Sequence, residues 1–337
     1  MKTFPAGKLP HADLAHLLAA YTHSHPRLVV PPALGEDAAV IDCGDRLLVA
    51  KTDPITFASE DIGWYAVHVN ANDIAAMGAT PLFFLSTVLL PVGQATPELA
   101  ESVLASIHRA ASDLGVAVCG GHTEITHGID RPIVIGQMLG ETTREGLVRS
   151  SGLEPGHDLI LTKGLGIEAT AIIATEKRAE LLARGLDPEE VAAAADFLHN
   201  PGISVVRDAR IAADAGRVTA MHDPTEGGVA TGLYELAAAS GVGLEIYGDA
   251  LPIAPATQRL CAEYGLDPLG VISSGALLIG CAAEATAAIS AALRAAEIDA
   301  TRIASVRETP FGLQMRRGDQ RVPLPTFVAD EITRLFT

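Results

Sequence analysis

The sequence predicts a two-domain α/β fold, α+β in detail, and three observations support this prediction. The chain has 337 residues, which exceeds the size at which one hydrophobic core usually stops growing. Hydrophobic residues make up 48% of the chain and aromatic residues only 4%, so we expect cores built mainly from aliphatic side chains. Apolar runs of strand length are mixed with amphipathic segments of helix length along the whole sequence.

In the first half of the chain, the sequence pattern predicts an extended segment at residues 1–10, followed by strands and three helices. The helices are predicted at 13–21, 64–77 and 97–114, and the last has Thr96 as its N-cap and Pro97 in its first turn. Strands are predicted at 40–41, 47–52, 82–90, 116–119 and 133–140, of which 116–119 reads as short and buried.

Residues 142–157 are polar and rich in turn formers, so we place a domain boundary near residue 150, giving domains 1–150 and 151–337. In the second domain, strands are predicted at 158–162, 218–221, 244–247, 276–279, 302–307 and 312–316. Helices are predicted at 166–183, 188–198, 203–215, 228–240, 255–263 and 283–296, with a closing helix from about 326.

Charge and cysteine content narrow the class of protein. The formal net charge of −17 argues against a non-specific nucleic-acid binder, which needs a basic surface. The four cysteines have neither C-x-x-C nor zinc-finger spacing, which fits reduced, buried thiols. Residues 1–10 lack an apolar signal core, and the longest strongly apolar run, 82–90, is too short to span a membrane. We therefore expect a cytoplasmic protein without nucleic-acid or membrane partners.

The stretch Asn70–Ala79 is the centre of the functional interpretation. It reads as a short helix in which Asn72 and Asp73 could cap the first amides and Gly78 could end the helix in a left-handed conformation. Taken alone, it could be no more than a well-capped helix of small residues packed against its neighbours.

Three other acidic segments change this interpretation. The four segments are 35–39 (GEDAA), 51–54 (KTDP), 72–74 (NDI) and 120–124 (GGHTE). Asp37, Asp53, Asp73 and Glu124 could together supply the oxygen ligands that Mg²⁺ prefers. Each acid alone could equally be a solvated charge or a cap, and His122 alone could be a structural histidine.

Residues 72–79 (NDIAAMGA), together with 120–124 and 35–39, resemble the AIR synthase-related, or PurM-like, superfamily. Its members include AIR synthase, selenophosphate synthetase, thiamine-monophosphate kinase and HypE-type hydrogenase maturation proteins. The resemblance implies an N-terminal domain that dimerises into a shared β-barrel and a C-terminal α/β domain. It also implies ATP and Mg²⁺ bound in the N-terminal domain near the dimer interface.

The resemblance carries over to particular residues. The implied metal ligands are Asp37, Asp53, Asp73 and Glu124. The implied nucleotide contacts are Lys8, Thr52, Asn72, Asp73, Gly120, Gly121, His122 and Thr123. Lys8 follows Ala6 and Gly7 in a segment poor in glycine, so a merely solvated lysine is the alternative for it.

Residues 222–230 (HDPTEGGVA) resemble the D-P-T-x-G-G motif of the HypE-type branch. This glycine-rich turn joins a predicted strand to a predicted helix and could present free amides to an anion. A plain turn capped by Asp223 or Thr225 is the alternative. The candidate catalytic residues are Asp223, Thr225 and Asp53, with Asn200 and Ser274-Gly275 as lesser candidates.

The resulting prediction is an ATP- and Mg²⁺-dependent, HypE-like homodimer. It would phosphorylate or activate an amide, carbonyl or phosphate oxygen of a small-molecule or protein-borne acceptor. HypE-type proteins end in an essential cysteine, whereas the last cysteine here is Cys281. Two alternatives stay open: a non-catalytic nucleotide-binding regulatory protein, and a hydrogenase maturation factor that dehydrates a carbamoyl group on Cys261 or Cys281.

Overall fold

A computed structural model describes residue 4, residues 7–33 and residues 35–336. The extended segment expected at 1–10 therefore lies partly outside the described residues. The first half of the chain contains α1 (His11–Tyr21), β1 (Leu28–Val30), β2 (Ala39–Asp42), β3 (Leu47–Ile55), α2 (Ile62–Ala76), β4 (Thr80–Pro91), α3 (Pro97–Leu114), β5 (Ala117–Thr126) and β6 (Ile133–Thr142).

The second half continues with a second set of strands and helices. These are β7 (His157–Thr162), α4 (Ile167–Glu176), α5 (Arg178–Ala183), α6 (Pro188–Ala195), α7 (Val206–Ala215), β8 (Val218–His222), α8 (Gly228–Ser240), β9 (Gly243–Tyr247), α9 (Pro255–Tyr264), β10 (Leu278–Ala282), α10 (Thr286–Ala295), β11 (Ala300–Arg307), β12 (Leu313–Arg317) and β13 (Gln320–Pro323). The predicted mixture of strands and helices is confirmed, and α3 and α8 have the predicted bounds.

The strands of the first half form a sheet in the order β1-β2-β3-β6-β4-β5. Strand β5 lies at an edge, is parallel to β4, and exposes its residues from Ala117 to Ile125. The prediction of a short, buried strand at 116–119 is therefore wrong, because the strand continues through 120–124 and faces outward. Across the described residues this sheet is open, so the shared barrel stays a prediction.

Gly121 explains how β5 can lie so close to β4. Its φ is 153°, and a Cβ atom there would collide with the backbone carbonyl oxygen of Ser86 on β4. Only glycine permits this approach, so Gly121 has a packing role in the sheet.

Helix α2 is the central element of the fold, since it packs on β3 and β6 and also on α7 and β8. It is buried along nearly its whole length. Asn72 and Asp73 lie in its last turns, so the expectation that they cap the start of a short helix is wrong. The helix ends as predicted, with Gly78 at φ 69°.

The strands of the second half form a sheet in the order β13-β12-β9-β11-β7-β10-β8. The closing helix expected from about 326 is absent from the described residues. After β13 the chain has no regular secondary structure, bends at 328–329, and makes a 3-10 turn at Glu331–Leu335 that Asp330 caps through the amide of Ile332. None of the described helices has the length and hydropathy needed to cross a membrane.

Candidate active site

Three carboxylates from separate elements meet beside α2. Asp37 lies just before β2, Asp73 lies in α2, and Asp223 follows β8. Each offers a carboxylate oxygen within 4.8 Å of the others, and all three side chains are buried. We call Asp37, Asp73 and Asp223 the carboxylate triad. The structure places Asp37 and Asp73 together, and Asp223 joins them from the second half of the chain.

The triad is incompletely satisfied by protein groups. Within the described residues, both carboxylate oxygens of Asp223 and Oδ2 of Asp73 have no hydrogen-bond partner. Burial and the nearby Asp37 raise the pKa of Asp223 to about 8. Burial also raises the pKa of Asp73, although Lys51 opposes that change. Buried oxygens without partners are costly, and a hard divalent cation such as Mg²⁺ would satisfy them, so these residues fit a metal site.

Lys51 connects the triad to Asp53. Its Nζ lies 2.9 Å from Oδ1 of Asp73 and 3.2 Å from Oδ2 of Asp53. Burial alone would lower the pKa of Lys51, but the Asp73 and Asp53 carboxylates outweigh burial and raise it well above its usual value. Lys51 was not among the site residues predicted from the sequence. The signal was present, because residues 51 and 53 lie two apart on β3 and so share one face of the strand.

Thr52 points to the opposite face of β3 and does not contact the triad. Its hydroxyl donates a hydrogen bond to the carbonyl oxygen of Gly136 on β6, at 2.8 Å. The nucleotide contact expected of Thr52 is therefore replaced by a bond between two strands.

His222 holds Asp37 in place. Its Nδ1 lies 2.6 Å from Oδ1 of Asp37, and its Nε2 lies 2.9 Å from Oε2 of Glu235 on α8. Burial alone would lower the pKa of His222, but these two carboxylates raise it well above its usual value. The ring is thus an imidazolium that donates to both acids. His222 was not predicted as a site residue, because its partner Glu235 lies 13 residues further along the chain, on the next helix.

The turn after β8 is occupied by protein groups. The amide of Gly227 donates to Oδ2 of Asp330 at 2.6 Å, and the amide of Gly228 donates to the carbonyl oxygen of Thr225 at 3.0 Å. The expectation that this turn offers free amides to an anion is wrong for these two groups. The Asp330 carboxyl takes the position at the start of α8 that a phosphate would need.

Lys8 reaches this turn from the N-terminal segment. Its Nζ lies 3.0 Å from Oγ1 of Thr225 and 3.4 Å from Oε2 of Glu226. Lys8 is therefore not merely solvated, and it places a cation beside the candidate catalytic Thr225.

Asn72 has a structural role rather than the expected nucleotide contact. Its Nδ2 donates to the carbonyl oxygen of Ile203, and its Oδ1 accepts from the amide of Val205, both at 2.8 Å. The side chain is fully buried. Asn72 thus ties α2 to the segment that enters α7.

Glu124 does not reach the triad within this chain. Its side chain is 53% exposed on β5, and its Oε2 lies 3.4 Å from Nε2 of His122. Gly120, Gly121 and Thr123 lie on the same exposed strand. These residues form a second surface at the sheet edge, separate from the triad.

A cavity of about 400 Å³ opens next to Asp53, and we call it the Glu168 cavity. Lys8, Thr225 and Ser274 also line it, together with apolar side chains. Glu168 was not predicted from the sequence, although an acid at the second position of the apolar segment that forms α4 was a visible signal. Asn200 is exposed in the loop before α7.

Comparison with known proteins decides the family. Residues 35–142 match the model of the AIR synthase related protein N-terminal domain, and residues 154–315 match that of the C-terminal domain. The chain belongs to the AIR synthase-related family. The resemblance seen in the sequence is thereby confirmed, and the matched regions extend over both sheets.

HypE-type proteins are among the relatives of this AIR synthase-related protein. It is 30% identical over 249 residues to a putative hydrogenase expression/formation protein of Methanocaldococcus jannaschii, covering 72% of this chain and 70% of the relative. It is 30% identical over 284 residues to carbamoyl dehydratase HypE of Cupriavidus necator, covering 81% and 77%. The fold matches a hydrogenase maturation protein HypE solved in complex with ATP, with a TM-score of 0.71 and 23% identity, covering 95% of this chain and 91% of that one.

Proposed function

We propose that this protein is an ATP- and Mg²⁺-dependent enzyme that transfers a phosphoryl group to an oxygen of an acceptor. The observation that carries the proposal is the carboxylate triad, in which Oδ2 of Asp73 and both carboxylate oxygens of Asp223 lack partners among the described residues. A bound Mg²⁺ would neutralise these carboxylates and the phosphate oxygens together.

The surroundings of the triad fit a nucleotide triphosphate. The chain has a formal net charge of −17, so the charge of a triphosphate must be offset locally. Lys51 and Lys8 lie at the site, and both line a cavity of about 150 Å³ that contains the triad. The HypE whose structure was determined with ATP has the same fold, which makes ATP the first ligand to test.

Phosphoryl transfer requires no covalent bond between the protein and the transferred group. Phosphoryl transfer depends on positioning and on neutralising charge, and the triad with Lys51 provides fixed charges for both. His222 holds Asp37 in its orientation toward the triad. Asp53 and Thr225 lie where the triad meets the Glu168 cavity, so we assign them to the side that faces the acceptor.

Isothermal titration calorimetry with ATP, with and without MgCl₂, tests this function. We expect binding that requires Mg²⁺, is lost in Asp73→Asn and Asp223→Asn, and is unchanged in Asp113→Asn, an exposed acid on α3. ATP binding that persists in both triad variants would refute the assignment.

A homodimer fits the exposed surface of β5. An edge strand with unpaired backbone groups and exposed Val118 and Ile125 is a template for pairing with another chain. We propose that two copies pair along β5, which would place Glu124, His122 and Thr123 at the interface. The nucleotide contacts expected on this strand would then depend on the dimer.

Turnover of ATP distinguishes the proposed enzyme from a regulatory nucleotide-binding protein. A regulatory nucleotide-binding protein would bind ATP without turnover, whereas the proposed enzyme hydrolyses or transfers the γ-phosphate and loses this activity in Asp53→Ala. Carbamoyl dehydration is suggested by the name of the Cupriavidus necator relative. Cys261 and Cys281 are buried here, so we propose that any carbamoyl-bearing thiol is supplied from elsewhere.

A further inference from the structure

The Glu168 cavity ends in two polar side chains that the protein leaves unsatisfied. Glu168 is 3% exposed and Ser274 is fully buried. Within the described residues, neither Oε2 of Glu168 nor Oγ of Ser274 makes a hydrogen bond of good geometry, although the Ser274 hydroxyl and amide lie close enough to the Glu168 carboxyl to lower its pKa. Both residues line the cavity, so these atoms are available to a ligand inside it.

The other charged residues of the cavity wall already have partners. Lys8 lies near Glu226 and Thr225, and Asp53 lies near Lys51. Across the described part of the chain, no lysine, arginine or histidine lies within ion-pair distance of Glu168. A buried carboxyl without a cation is held in its neutral form by desolvation.

The electrostatic surroundings of Glu168 are acidic. Burial is the main cause that raises its pKa to about 8, and the Glu226 and Asp330 carboxyls add to the rise, while nearby Ser274 opposes it. The pKa of Tyr65 on α2 is raised mainly by its own burial and further by the Glu168 carboxyl. The potential at this end of the cavity therefore favours a positive charge and disfavours a second anion.

The rest of the wall is apolar. It includes Ile55, Val69, Ile172 and Ile272. A cavity of about 400 Å³ lies within the range that holds a small organic molecule. The occupant thus needs a compact apolar body with a polar group at the Glu168 end.

We propose that the acceptor of this enzyme carries a cationic nitrogen, an ammonium or amidinium group, that binds between Glu168 and Ser274. The apolar walls then hold the body of the molecule, and its reacting oxygen faces Asp53 and the triad. The inference rests on the proposed function for the acceptor role, whereas the cation site itself is open to a test without nucleotide. Binding of the cation returns Glu168 to its ionised form and releases its proton to solvent.

A matched pair of probes tests the cation site in the full-length chain. Benzylamine is cationic at neutral pH, and benzyl alcohol is its uncharged counterpart of similar size and shape. We expect benzylamine to bind about tenfold more tightly at pH 7, as a charge-assisted hydrogen bond predicts. Glu168→Gln should remove this preference, and Ser274→Ala should weaken benzylamine by about threefold.

A second measurement does not depend on any variant. Calorimetry in phosphate and in Tris buffer measures the protons released on binding, and we expect close to one proton per benzylamine at pH 7 because Glu168 starts protonated. A parent-like far-UV circular dichroism spectrum and a cooperative urea transition confirm that Glu168→Gln is folded. Equal affinity for the two probes, no proton release, or an unchanged preference in Glu168→Gln would overturn the cation site. Failure of the parent protein to bind Mg²⁺-ATP would instead overturn the proposed function, and with it the acceptor role.

Discussion

The imidazole Nδ1 of His222 lies 2.6 Å from Oδ1 of Asp37, while the other ring nitrogen is held by Glu235. The bond joins the end of β8 to the segment before β2, so it fixes one triad carboxylate across the two halves of the chain. His222 itself contributes no triad oxygen and acts by positioning Asp37, as partners of metal-binding carboxylates commonly do.

His222→Asn should therefore weaken metal binding without removing a ligand. We expect about a tenfold loss of Mn²⁺ affinity, because Asp37 loses its orienting partner. Calorimetric titration with MnCl₂ measures this loss. His108→Asn, at an exposed site on α3, is the matched control and should bind as the parent protein does. Equal affinity in the two variants would remove His222 from the site.

In the metal-free protein, the ammonium group of Lys51 should stabilise the folded state by neutralising the carboxylates of Asp73 and Asp53. Lys51→Met leaves Asp73 and Asp53 without their shared cation, and we expect a loss of about 3 kcal/mol in the free energy of unfolding. Urea unfolding in EDTA measures the loss, and MgCl₂ should restore part of it.

A double-mutant cycle separates the charge of Lys51 from its packing. Adding Asp53→Asn to Lys51→Met restores the charge balance, so the double variant should be more stable than Lys51→Met alone. If the double variant is instead less stable, the stabilising role of Lys51 lies in its aliphatic stem and not in its ammonium group.

Much of this site could be predicted from the sequence, and the reasons for the rest are physical. Asp37 and Asp73 were found because each acid stands next to small residues in a recognisable motif. Asn72 belongs to the same motif, but its amide faces the backbone before α7, and the motif does not tell which way a helical side chain points. His222 was missed because its partner Glu235 lies on another element, whereas Lys51 and Glu168 carried signals within β3 and α4 that were not used.

The same limit applies to the fold. Helices α3 and α8 were predicted with the right bounds, because Thr96 caps α3 and Gly241 ends α8 in a left-handed conformation. The closing helix was wrong, because Asp330 binds the amides of Gly227 and Ile332 and so fixes a 3-10 turn. Such contacts between distant residues leave no periodic signal in the sequence.

The stability of the metal-free protein should fall as pH rises from about 5 to 8. Burial raises the pKa of Glu168 to about 8, so the folded state binds its proton more tightly than the unfolded chain does. That stabilisation is present at low pH and is lost as the pH rises through the folded pKa. Asp223 contributes in the same direction.

Glu168→Gln isolates this contribution. The variant keeps the size of the side chain and cannot ionise, so at pH 8 it should be more stable than the parent protein by about 4 kcal/mol. At pH 5 the gain should fall to about 1 kcal/mol, because Glu168 is then protonated in the folded state and only partly ionised in the unfolded chain. Urea unfolding in EDTA at the two pH values measures the difference, and a gain of equal size at both would contradict the ionisation argument.

Cys261 and Cys281 should be chemically inert in the native protein. Both are buried, and burial raises the pKa of Cys261 to about 12 and that of Cys281 above its usual value. Because the thiolate is the reactive form, iodoacetamide should label the exposed Cys43 and spare these two. Mass spectrometry of the native and urea-unfolded protein measures the pattern. Labelling of Cys261 or Cys281 in the native protein would contradict this prediction and would support that thiol as the carrier of a carbamoyl group.

The edge strand β5 should hold two copies of the chain together. Val118 is 47% exposed and Ile125 is 59% exposed on this strand. A lysine at either position would place a charge in the proposed strand-to-strand interface and so oppose pairing. We expect Val118→Lys and Ile125→Lys each to convert a dimer to a monomer, measured by size-exclusion chromatography with light scattering. Leu104→Lys, at a similarly exposed site on α3, should leave the dimer intact.

If the monomeric variants also bind Mg²⁺-ATP about tenfold more weakly while keeping Mn²⁺ affinity, the nucleotide needs residues of β5 and the metal needs only the triad. A monomeric parent protein would refute the pairing, and unchanged ATP affinity in the monomers would confine the nucleotide site to one chain.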